Sequence, residues 1–79
     1  MNYADIIAAL PKDVADTLHA ELDKYQFSKD MSQDEVLELL NDAVKMARLK
    51  TVIADDEKRR MVDMLLGMFA QAALKVVFA

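Results

Sequence analysis

Few side chains here could carry out a reaction. His19 is the single histidine and cysteine is absent, so His19 alone would titrate near neutrality without a strong environmental shift. Placed on a helix flank beside Ala15, it reads as a boundary or surface residue rather than as a base or ligand. A transition-metal site needs clustered soft or imidazole ligands at set spacing, and none occur. Asp55, Asp56 and Glu57 could face a hard cation, but a calcium loop needs a glycine at its sharp turn and none lies nearby. The three acids fit better as the negative start of a helix. Gly67, the one glycine, falls inside a helical pattern and cannot form a phosphate cradle. The sequence therefore predicts no catalytic residue, no metal ligand and no cofactor, and a protein that is not an enzyme.

What remains is the chemistry of association. Met61 to Ala79, MVDMLLGMFAQAALKVVFA, is almost unbroken apolar sequence. Drawn as a helix, Val62, Leu65, Leu66, Phe69, Ala72, Ala73, Val76 and Val77 fill a broad arc at spacings of three and four. Arg60, Asp63, Gly67, Gln71 and Lys75 leave only a narrow polar strip, which Met64, Leu74 and Phe78 interrupt. Such a helix needs cover on most sides, from a core, from lipid or from a second chain. Methionine adapts to irregular surfaces, so Met64 and Met68 with Leu74 and Phe78 are the expected partner or oligomer interface. Gly67 joins them, because glycine inside a helix costs about 1 kcal/mol relative to alanine and an offsetting close approach is plausible. A second candidate is basic: Arg48, Lys50, Lys58, Arg59 and Arg60 surround one inter-helix connection and could dock an acidic partner or phospholipid headgroups. In-chain acidic neighbours are the plainer explanation of that cluster.

The elements that would position these residues are helical. One Gly and one Pro among 79 residues, with abundant Ala, Leu, Met, Lys and Glu, describe an all-α chain. Asn2 is placed to cap a short N-terminal helix carrying Ile6, Ile7 and Leu10. Pro11 ends it and suits the first position of the next, expected from Pro11 to about Tyr25 with Val14, Leu18, Leu22 and Tyr25 inward and Glu21 among the water-facing acids. Phe27 should anchor the connection that follows. Ser32 and Glu35 form a capping box flanked by Met31 and Val36 as a hydrophobic staple, starting a helix that ends or presents Leu49 to a neighbour. Asp55 caps the last helix, about 24 residues and roughly 36 Å long. The expected fold is one helical domain over residues 1 to 79, a small bundle of three principal helices plus a short N-terminal one, with the apolar C-terminal helix at the centre.

Composition narrows the function further. Formal charge is -4, which disfavours nonspecific nucleic-acid binding because that requires a cationic footprint. Through residue 44 there are ten acids against three bases, and after it four against seven, so the basic character is confined to the second half. The first residues, MNYADIIAALPKD, lack a basic start, and Asp5 interrupts their apolar run, so no signal peptide is read there and a cytoplasmic location is expected. Met64 to Ala79 contains Gln71 and Lys75 and falls short of the roughly 20 apolar residues a membrane span needs; membrane contact is not expected.

Being short, acidic, helical and free of cysteine, the chain is similar in general character to regulatory proteins that phages encode, including polymerase inhibitors and antiholins. That resemblance implies a small cytoplasmic inhibitor docking on a partner, or on the soluble segment of a membrane protein, through residues 48 to 60. The residues themselves favour a non-catalytic interaction module, a small regulator or assembly subunit, homodimeric through its C-terminal helix.

Overall fold

The computed structural model describes residues 3 to 28 and 30 to 78. Four helices follow in order: α1 Tyr3–Ala9, α2 Lys12–Leu22, α3 Gln33–Lys50 and α4 Asp56–Val77. No strand occurs among the described residues, so the chain is all-α. The expected cap at Asn2 lies outside the described residues.

Local chemistry sets the boundaries. Pro11 sits at the cap of α2, one residue before the helix begins at Lys12 and not in its first position as expected; its ring keeps Leu10 from continuing α1 and it has no amide to donate. α2 stops at Leu22, earlier than the expected Tyr25. Its end tightens through Lys24 N–H to Glu21 O and Tyr25 N–H to Leu22 O, at 3.2 and 3.1 Å, the three-residue spacing that closes many helices. Tyr25 and Phe27 then meet edge to face at 6.2 Å. Ser32 Oγ accepts from the Glu35 amide at 3.1 Å. The Glu35 carboxylate answers by accepting from the Ser32 hydroxyl at 3.2 Å, rather than from the serine amide as the capping box predicts. Met31 packs against the core in which Val36 is buried, the placement that a hydrophobic staple requires. Asp55 caps α4 by accepting from Lys58 N–H at 3.1 Å.

The helices pack as a series in which α2 lies on α3, α3 on α4 and α4 on α1, with the Pro11 corner joining α1 to α2. α4 is the longest element but is not alone at the centre, because α3 likewise packs against two others. Core residues come from every helix: Ile6 from α1, Val14 and Leu18 from α2, Val36, Leu40, Ala43 and Ala47 from α3, and Val62, Leu66 and Phe69 from α4. Phe69 stands at their junction, its ring edge-on to Tyr3 at 6.4 Å. α4 is buried along one arc only, a narrower coverage than its sequence suggested. Two shorter helices, α1 and α3, pack on one side of a helix some 33 Å long and leave the other in water.

Candidate functional site

The uncovered side of α4 is the most distinctive surface. Met61, Met64 and Met68 are 45, 59 and 39% exposed and stand at offsets of three and four, which stacks them on one helix face. Gly67 lies beside them, and a β-carbon built there would meet nothing within 4 Å. Close packing inside the chain therefore does not explain this glycine. Gly67→Ala should stabilise the folded chain by about 0.5–1 kcal/mol, the helix-propensity difference with no steric penalty; chemical denaturation would measure it, and a destabilised variant would mean that the backbone here needs glycine. Leu74 and Phe78, assigned to the same surface from the sequence, are instead half-buried and packed against the chain's own core. Phe78 also closes α4, its amide donating to Leu74 O at 3.3 Å. The five interface candidates thus divide into three that face water and two at the edge of the fold.

The basic residues do not form one patch of free cations. Arg48 pairs with Asp63, Nε to Oδ1 at 3.2 Å, and also donates from Nη2 to the Asp63 carbonyl at 3.1 Å. This clamps the end of α3 to the start of α4. Arg59 pairs with Asp56 one turn earlier at 3.3 Å. Lys50 crosses to Glu21 of α2. Lys58 and Arg60 are left exposed with no ion pair among the described residues. A cavity of about 400 Å³ opens at this corner, lined by Arg48, Thr51, Ile53, Arg59, Val62 and Asp63; its two guanidinium groups already have carboxylate partners.

Glu21 does not face water as its chemical type predicts. It is 2% exposed, and its carboxylate accepts from both Lys50 and Lys24, the latter at 3.2 Å. The Lys50 hydrogen bond holds its pKa below the ordinary value, burial pushes it upward, and Lys24 adds to the lowering. In return Glu21 raises the pKa of Lys50, against the effect of burial. The pattern contained the clue: Val14, Leu18 and Glu21 recur at four and three, so the acid continues the apolar stripe of α2.

A second feature that the sequence did not disclose is an apolar groove of about 320 Å³ between α1, α2 and the last turns of α4. Its walls include Ile7, Leu22, Phe27, Val76 and Val77, with Phe69 in its floor and Tyr3 and His19 among its lining. Val76 on its wall stays 52% exposed. His19 is exposed on α2 and lines this groove together with Tyr3, among otherwise apolar side chains. Among the described residues no group of three or more His, Cys, Asp or Glu side chains could hold a metal ion. Nor is any described helix long and apolar enough to cross a membrane.

Compared with protein families, curated proteins and solved structures, the chain matches none of them.

Proposed function

We propose that the protein is a non-catalytic interaction module, a small regulator or assembly subunit, that associates with a second copy of itself through the outer face of α4. The observation carrying this reading is the exposed run Met61, Met64 and Met68 beside open Gly67. Flexible thioethers suit a surface that forms on contact, and an unshared apolar strip of this kind is a liability to a monomer. Burying what remains exposed of three methionines on each protomer is worth about 4–9 kcal/mol before the cost of association, itself about 4–15 kcal/mol. The pair should consequently be weak and concentration-dependent.

The basic cluster supports docking less well, since Arg48, Lys50 and Arg59 are engaged within the chain. Inhibition of a partner through residues 48 to 60 would rest on Lys58 and Arg60.

Light scattering after size exclusion tests the proposal. The mass should rise from 8.9 kDa toward twice that value as concentration increases from about 1 µM to about 1 mM. Met64→Asp should weaken the pair by about tenfold or more, because it sets two carboxylates in a desolvated contact, while leaving helicity unchanged. Phe78→Asp is a poorer probe because Phe78 packs on the core. A wild-type chain that stays monomeric throughout would remove self-association as the mechanism.

A further inference from the structure

The outer face of α4 carries a pattern that specifies orientation. Glu57, Met61, Met64, Met68, Gln71 and Lys75 are all exposed and follow one another at steps of four, three, four, three and four. That alternation is the seam of a two-stranded coiled coil, repeating every 3.5 residues on average. The seam stretches about 27 Å, over most of α4. It lies on the side away from Val62, Phe69 and Ala73, which face the chain's own core.

Its order is complementary to its own reverse. Glu57 and Lys75 stand equally far on either side of Leu66, as do Met61 and Gln71, and Met64 and Met68. The middle of α4 falls between Leu66 and Gly67, so helices related by a two-fold axis there overlap along nearly their whole length. We propose that two copies pair antiparallel about this point, Met64 against the partner's Met68 at the centre, Met61 against Gln71 next, and Glu57 against Lys75 at both ends. This rests on the self-association proposed above and assigns its geometry. An isologous contact of this kind closes on itself and stops at two copies.

Charge decides between orientations. In a parallel pair in register, Glu57 would face Glu57 and Lys75 would face Lys75, placing like charges at both ends. The antiparallel pair sets opposite charges there twice over. Neither residue has an ion-pair partner among the described residues, whereas Asp56, Arg59 and Asp63 on the same helix do. Gly67 flanks the centre of the seam, where the partner's backbone passes.

Charge exchange tests the register. By sedimentation equilibrium at low ionic strength, Glu57→Lys should weaken the dimer roughly tenfold, since two attractive end contacts become repulsive. Lys75→Glu should do the same, and the double variant should recover wild-type affinity. A parallel pair would respond to neither single change. As a second readout, the cysteine-free chain allows Met64→Cys and Met68→Cys to be mixed: the mixed disulfide should dominate under mild oxidation, with little cross-linking of either variant alone. A dimer that Met64→Asp disrupts, but that ignores charge exchange or cross-links each cysteine to its own copy, would overturn the register and leave self-association standing. A wild-type monomer at every concentration would overturn both.

Discussion

Phe69→Ala is expected to leave the chain without a stable fold. Phe69 is 1% exposed, meets the Tyr3 ring edge-on and floors the groove between α1, α2 and α4. Truncating a buried phenylalanine costs about 3–5 kcal/mol, the lost transfer energy plus the cavity left behind. A single core in a domain of this length supplies roughly the same amount, and no disulfide adds to it. The loss is also concentrated at a weak point, since α1 contributes a single fully buried helical residue, Ile6, and leans on α4 for its seat. Thermal melting followed by circular dichroism should show no cooperative transition, or one lowered by more than about 12 °C. A sharp transition within a few degrees of wild type would mean that the core is not organised around this ring.

The second large effect is electrostatic. Glu21 is buried and depends first on Lys50 for its charge. Because its folded pKa lies below the ordinary 4.5, the unfolded chain takes up the proton more readily. The stabilisation from Glu21 is therefore complete above about pH 4.5 and is lost as pH falls through the depressed folded value. Lys50 behaves oppositely: its folded pKa lies above the ordinary 10.5, so its contribution is complete below that pH and is lost as pH rises through the raised value. Between these limits the pair should give a flat profile.

Lys50→Met removes the principal partner and leaves Glu21 buried with Lys24 alone. Stability at neutral pH should fall, and the acid limb should move to higher pH as burial raises the carboxyl pKa. Lys24→Met should do less, because Lys24 is 58% exposed on its side chain and sits just past the end of α2, three residues from Glu21. Adding Glu21→Leu to Lys50→Met should return much of the loss, since an apolar pair leaves no charge to desolvate. Urea midpoints between about pH 3 and pH 8 would measure each. Identical midpoints for wild type and Lys50→Met across that range would show that the pair contributes nothing to folding.

These effects differ in how far they could be read in advance. Phe69 belonged to the apolar arc of the last helix from spacing alone, and Val62, Leu65, Leu66 and Ala73 joined it in the core. Chemical type assigns Glu21 to water, although its position continues the stripe of Val14 and Leu18. Met61, Met64 and Met68 all face water, a placement that helical spacing alone does not settle. Leu74 and Phe78 went the other way, turning against the core because α3 flanks that side of α4.

What the sequence determined by itself is what short-range physics controls. Hydroxyl and carboxylate caps at Ser32 and Asp55 satisfy amides three residues away, Pro11 removes a donor from its own position, and the 3.6-residue period sets which side chains share a helix face. Helix class, helix order and most of the core follow from those. Tertiary structure alone decided which faces are covered and which charges meet. Arg48 finds Asp63 and Lys50 finds Glu21 across 15 and 29 residues of chain, and Phe27 and Val76, far apart in the chain, meet as walls of one groove. A helical repeat fixes the angle of a side chain about its own axis, but the depth of its burial is set by the length and placement of neighbours that no local spacing encodes.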